Sequence, residues 1–249
     1  LPERAWAMNG AGNLLNDLGE PQRARAYYEP ALELFHQAGD NKGAYRCLNN
    51  LGNMAWSEKD FEKARQLYEQ VLREGTELDS WGHAMTLNNL GSLARIRGDW
   101  QESREYYLHS LEICEKLGAE AGISFAKSFL GTLSIAQRKL DEGRAYFESA
   151  MKASWVRANP YSQGLYNGIL GYIQLLLGNP KEAERMLHEC LVTTEELLRM
   201  QGLNLTEFFP VLEGQARLEL MNGRTERAAR LFGAAWTLRE IDDYPLTEF

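Results

Sequence analysis

Residues 51–68 read LGNMAWSEKDFEKARQLY, and three of them decide the fold: Gly52, Ala64 twelve residues on, and Tyr68 sixteen residues on. The spacing returns as Gly12, Ala24 and Tyr28, as Gly91, Ser103 and Tyr107, as Gly131, Gly143 and Phe147, and as Gly171, Ala183 and Leu187. A sixth, degenerate copy has Ala216, Ala228 and Phe232. Successive glycines stand 40, 39, 40 and 40 residues apart, and Ala216 follows 45 after Gly171. Self-similarity at such a period is the signature of a solenoid, in which each unit buries its apolar face only against its neighbours.

Each repeat reads as two helices. In the second, Leu48, Leu51, Met54 and Ala55 fall at helical spacing over Ala44 to Lys59, and Ala64, Leu67, Tyr68, Val71 and Leu72 do so over Phe61 to Glu77. Lys59-Asp60 is the turn between them. Other turns fall at Gly19-Glu20-Pro21, Gly98-Asp99, Gly178-Asn179-Pro180 and Gly223-Arg224. Glycine permits the positive φ that ends a helix, and proline suits the first turn of the next. Arg138-Lys139 replaces the turn glycine in the fourth repeat, so a less regular corner is expected there. Within the motif, Gly52 is expected to admit the second helix, Ala64 to answer it, and Tyr68 to fill the space between repeats.

The chain is therefore expected to be all-α, a right-handed α-solenoid superhelix of about six helix-turn-helix repeats. Their approximate bounds are 3–40, 41–79, 80–119, 120–158, 159–200 and 203–241, in a single solenoid over 1–249. It begins at Leu1 and enters helical pattern at once, as a piece cut from a longer multidomain protein would.

Composition narrows the function. The net charge of -8 disfavours nucleic-acid binding, which needs a basic stripe, and no Lys/Arg run exceeds two residues. The apolar stretch Ile169–Leu177 is too short to span a membrane, which takes about 20 residues. Cys47, Cys114 and Cys190 form no Cys-x-x-Cys, which argues against a disulfide framework or zinc site and for a reducing, cytoplasmic location. His36, His83, His109 and His188 are scattered, with no metal or catalytic spacing. Gly10-Ala11-Gly12 lacks the third glycine and the preceding strand of a dinucleotide loop, and no Gly-x-x-x-x-Gly-Lys-Ser/Thr occurs. No catalytic residue, cofactor or metal is expected, and any NTPase would lie outside this chain. Gly164, Gly168 and Gly171 read as close helix packing rather than membrane dimerisation.

The joint recurrence of the glycine, alanine and aromatic positions resembles the tetratricopeptide repeat family over residues 3 to 240, in a variant with a period near 40 instead of 34. Arg227-Ala228-Ala229-Arg230-Leu231-Phe232-Gly233-Ala234-Ala235-Trp236-Thr237-Leu238-Arg239-Glu240, followed by Pro245-Leu246, is similar to a segment near the end of bacterial regulators. Those are multidomain signal-transducing NTPases whose repeats act as sensor or autoinhibitory arm.

The family resemblance implies that the first helix of each pair lines a concave groove. Its groove positions fall three residues before the motif glycine, one after and four after, on one helical stripe. They are Asn9, Asn13 and Asn16, then Asn49, Asn53 and Trp56, then Asn88, Ser92 and Arg95. Two more repeats add Ser128, Thr132 and Ile135, then Gly168, Tyr172 and Leu175. Six before the glycine stand Trp6, Arg46, Met85, Phe125 and Leu165, while Asn50 and Asn89 sit at the stripe's edge. The expected ligand contacts are Asn9, Asn13, Arg46, Asn49, Asn53, Trp56, Asn88, Ser92, Arg95, Phe125 and Tyr172. Asparagine can grip a peptide bond from both sides, and arginine can pair with a carboxylate. The alternative for Asn13 and Asn53 is that they set stacking geometry, and for Phe125 and Tyr172 that they only close the core.

Phe232, Ala235, Trp236 and Arg239 give the last helix an apolar stripe where a solenoid usually ends in a polar face. It is expected to pack on residues beyond this segment, dimerisation being the other reading. The function expected is a non-enzymatic recognition module, the sensor or autoinhibitory arm of a bacterial regulator. Its partner is a peptide, a protein segment or another domain of the same protein. The alternative is a stand-alone scaffold for multiprotein assembly.

Overall fold

The computed structural model describes residues 1–74, 81–201 and 208–242. Among these residues the chain forms thirteen helices and no strand, an all-α solenoid of helix pairs. It divides into two compact units, Leu1–Leu117 and Gly118–Phe249. The first unit pairs α1 (Pro2–Asp17) with α2 (Pro21–Ala38), α3 (Asn41–Ser57) with α4 (Phe61–Glu74), and α5 (Trp81–Ile96) with α6 (Trp100–Lys116). The second pairs α7 (Glu120–Ala136) with α8 (Leu140–Ala150), α10 (Pro160–Leu176) with α11 (Pro180–Gln201), and α12 (Phe209–Met221) with α13 (Thr225–Asp242). Glu77, Pro245 and Leu246 lie outside the described residues, as does the side chain of Arg239.

The motif works as a seat and its occupant within one repeat. A methyl group added to Gly12, Gly52 or Gly91 would stand 2.5–2.6 Å from Cε1 of Tyr28, Tyr68 or Tyr107. At Gly131 it would stand 2.7 Å from Phe147 Cε2. The aromatic ring therefore rests on the bare backbone of its own repeat's glycine, a contact it makes in addition to the one expected between repeats. Its other edge does meet the next repeat: Tyr28 shares an apolar cluster with Leu51 and Met54, and Tyr68 with Leu90 and Leu93. Ala24, Ala64 and Ala183 are fully buried at the second motif position. Gly168 serves a similar close approach, since a Cβ there would come within 2.6 Å of Cys190 Sγ and Val211 Cγ2.

The corners are uniform. Gly19, Gly98, Gly178 and Gly223 take positive φ, and so do Lys59 and Arg138, both at 60°. Arg138 N bonds to Ile135 O and Lys139 N to Ser134 O, the same pattern as Gly19 N to Asn16 O and Glu20 N to Leu15 O. The corner at Arg138 is thus regular, contrary to expectation, because helix packing on both sides imposes the left-handed residue whatever its side chain. A left-handed L-residue costs roughly 1–2 kcal/mol, part of which glycine's chain entropy offsets. Arg138→Gly is therefore expected to raise unfolding stability by up to about 1 kcal/mol in denaturant titration.

One element is absent from the repeat pattern. A five-residue helix, α9 (Ser154–Ala158), stands between α8 and α10. The Glu120 carboxylate reaches across from α7 and accepts from Ser154 N (2.7 Å) and from Ser154 Oγ, capping α9 from outside. These bonds hold the Glu120 carboxyl below its ordinary range.

Candidate functional site

In the first unit the sequence-selected asparagines divide by exposure and by partner. Asn13 and Asn53, one residue after the motif glycine on α1 and α3, are exposed. Tyr28 Oη donates to Asn13 Oδ1 (2.9 Å), and Tyr68 Oη donates to Asn53 Oδ1 (2.6 Å). Burial pushes both phenols above their usual range, so both remain donors. A second donor comes from the next repeat. Asn50 Nδ2 donates to Asn13 Oδ1 (2.9 Å), and Asn89 Nδ2 donates to Asn53 Oδ1 (3.3 Å). Both lone pairs of each oxygen are then occupied, which turns the Nδ2 group of Asn13 and of Asn53 outward. Asn50 and Asn89 are the residues the stripe reading left at its edge. Each stands two before its own motif glycine and pairs with the residue one after the preceding glycine, a relation visible only when adjacent repeats are aligned.

One layer deeper, Asn9 is buried, and its Oδ1 accepts from Cys47 Sγ (3.3 Å) and from Asn50 Nδ2 (3.2 Å). Burial pushes the Cys47 thiol up to about 12, so it stays protonated and donates. Asn49 is half-buried, with Oδ1 accepting from Thr86 Oγ1 (3.0 Å). Cys47 and Thr86 occupy the same register, five before the motif glycine of their repeats. Asn88, in register with Asn9 and Asn49, is 1% exposed, and neither its Oδ1 nor its Nδ2 has a hydrogen-bond partner among the described residues. Ser92 and Arg95 are buried as well, Ser92 Oγ lying 3.0 Å from Tyr107 Oη.

Two further residues border the exposed asparagines. Arg46 is exposed on α3, its guanidinium 5.5 Å from the centre of the Trp6 ring, and no carboxylate of the described residues pairs with it. Trp6 is itself held by Asp40, which accepts from Nε1 (3.0 Å), and by an edge contact to Phe35. Trp56 is half-buried against Phe61. The face therefore offers amide donors at fixed orientation and one cation on an aromatic platform.

The residues expected in the second unit are occupied otherwise. Phe125 packs on Trp155 of α9 at 5.0 Å, and Tyr172 is buried, its Oη donating to Glu213 Oε2 (3.2 Å). Thr132 bonds back to Ser128 O, because Phe147 brings it no hydroxyl. Among the described residues, no cluster of three or more His, Cys, Asp or Glu could hold a metal, and no helix is long and apolar enough to cross a membrane.

A family model described as Tetratricopeptide repeat matches residues 3–73 and 82–154, and a second of the same description matches 168–189. No curated protein matches the sequence. Solved structures do. PilF of Pseudomonas aeruginosa is similar with a TM-score of 0.63 at 17% identity, over 98% of this chain and 95% of that one. A Rap protein complexed with competence and sporulation factor has a TM-score of 0.71 at 15% identity, over 98% and 66%. The apo quorum sensor NprR from B. thuringiensis has a TM-score of 0.70 at 20% identity, over 94% and 65%. Identities this low speak to the fold.

Proposed function

Because this chain belongs to the tetratricopeptide repeat family, we propose that its first unit is a non-enzymatic recognition module for an extended peptide or protein segment. The observation that carries this reading is the pair of exposed Nδ2 donors on Asn13 and Asn53, each aimed outward by two hydrogen bonds to its oxygen. Packed helices stand about 8–10 Å apart, and an extended chain rises about 3.3 Å per residue. Donors on successive first helices thus meet backbone carbonyls about three residues apart, with little regard to side chains. Arg46 on Trp6 adds a preference for a carboxylate, from an acidic side chain or a chain end. The contacting set is Asn13, Arg46, Asn49, Asn53 and Trp56. Asn9, Asn88, Ser92 and Arg95 act from beneath it, and Phe125 and Tyr172 belong to a separate role in the second unit.

The similarity of residues 227–240 to bacterial regulators supports a narrower reading: a cytoplasmic sensor or autoinhibitory arm whose occupancy shifts a multidomain protein between closed and open states. A stand-alone scaffold would show no such shift.

A peptide array probed with the wild type and with Arg46→Ala tests the recognition role. Arg46 is exposed and pairs with no carboxylate of the described residues, and its contact with the Trp6 ring is worth only about 0.5–1 kcal/mol, so its removal lowers the melting temperature slightly and leaves the fold intact. Loss of a charge-assisted hydrogen bond, about 1.5–3 kcal/mol, weakens acidic peptides by roughly tenfold or more. Equal binding by both proteins places the site elsewhere.

A further inference from the structure

Asp40 is the N-cap of α3, and its Oδ1 accepts from Gly43 N (2.9 Å). Asn159 stands in the same register, twelve before the motif glycine of its repeat, and caps α10 in the same way, its Oδ1 accepting from Ser162 N (3.2 Å). The cap by itself is therefore met by an amide in this fold. What asparagine lacks is a second acceptor oxygen. Asp40 uses its own: Oδ2 accepts from Trp6 Nε1 (3.0 Å), 34 residues earlier on α1. Phe35 meets the Trp6 ring edge-on, with centroids 5.0 Å apart, and Arg46 Cζ stands over the same ring, 5.5 Å from its centre. A hydrogen bond and an aromatic contact thus hold the ring on which an exposed cation rests.

The three residues change together along the chain. Six before the motif glycine of the fourth repeat, the place of Trp6 is taken by Phe125, whose ring carries no N–H. The cap that follows is Asn159, and the place of Arg46 is taken by Leu165, which is buried. Donor, carboxylate and cation are replaced as a set, which fits a carboxylate and a ring that serve the cation.

We infer that Asp40 is a positioning residue for ligand recognition: through Trp6 it fixes the Arg46 guanidinium beside the exposed asparagines, so that this face selects segments that bring a carboxylate to that place. No carboxylate of the described residues pairs with Arg46, so its donors stay open to a ligand. A long side chain loses rotamer freedom when a ligand fixes it, and a platform that restricts it beforehand removes part of that cost. For its ligand the inference rests on the recognition reading above; the positioning itself can be measured without a ligand.

Asp40→Asn separates the two duties of the side chain. It keeps the cap, as Asn159 does, and sets an amide N–H against the indole N–H of Trp6. Trp6→Phe removes the donor and keeps a ring, the one the fourth repeat carries. In 15N relaxation of the peptide-free full chain, the Arg46 Nε–H is expected to be more mobile in both variants than in the wild type. Titrations then use an acidic peptide drawn from the array and its counterpart with glutamine in place of glutamate. Removing a negative charge at the edge of the ring under Arg46 would by itself tighten the acidic peptide. Loss of positioning acts in the opposite sense: Asp40→Asn is expected to bind it about two- to fivefold more weakly and the glutamine peptide unchanged. An Arg46 as mobile in the wild type as in both variants overturns the inference. So does an Asp40→Asn protein that binds the acidic peptide as tightly as the wild type, or more tightly, where Arg46→Ala weakens it. Equal binding by Arg46→Ala sinks the recognition reading alone, and the relaxation result then decides the positioning.

Discussion

Gly12→Ala is expected to destabilise the protein, and Gly10→Ala, two residues earlier on the same helix, to stabilise it. Alanine is favoured over glycine in a helix by about 1 kcal/mol, and this gain applies at both sites. At Gly10 nothing lies within 4 Å of the added methyl, so the gain stands alone. At Gly12 the methyl would stand 2.6 Å from Cε1 and 2.8 Å from Cδ1 of Tyr28. That ring is buried, and its hydroxyl is tied to Asn13, so it has no direction in which to move. Overpacking of a filled core costs about 1–3 kcal/mol, which exceeds the helix gain. A net loss of about 1–2 kcal/mol is expected at Gly12, and urea unfolding of the two variants reads the difference. Equal effects at the two glycines would mean that the motif glycine is not a seat.

Tyr68→Ala has the largest expected cost. The ring is fully buried in the cluster with Ala55, Ala64, Leu90 and Leu93, so its removal cuts the link between the second and third repeats. Truncation of a buried aromatic costs about 3–5 kcal/mol, a large share of a domain's stability. Tyr68→Phe separates the two duties of the side chain. It keeps the seat on Gly52 and loses only the bond to Asn53 Oδ1, for about 0.5–1.5 kcal/mol. The fourth repeat already makes this exchange with Phe147, where Thr132 turns to Ser128 O. Thermal unfolding therefore ranks the variants as wild type, Tyr68→Phe and then, far below, Tyr68→Ala.

What the sequence could show followed from local spacing. The six motif copies, the helix pairs and most corners are set by residues within a turn or two of each other. The features it hid depend on partners far along the chain. The short helix α9 is capped by Glu120, 34 residues before Ser154. The corners at Lys59 and Arg138 take their left-handed residue from packing on both sides, which no local preference reveals. The asparagine face follows the same logic. The stripe picked out Asn13 and Asn53, but their orientation depends on Tyr28 and Tyr68 fifteen residues on and on Asn50 and Asn89 about a repeat away. Asn9 and Asn49 share one register, and their differing partners trace to a single position in the following repeat, Cys47 and then Thr86.

The central claim is that Asn13 and Asn53 present ready amide donors to an extended chain. Side-chain amide resonances of 15N-labelled protein, followed while a peptide selected on the array is titrated in, test it most directly. The account predicts that the Nδ2 signals of Asn13 and Asn53 shift together and saturate at one peptide concentration, while those of buried Asn9 and Asn88 follow weakly or stay in place. Saturating binding that leaves both Asn13 and Asn53 unmoved would contradict it.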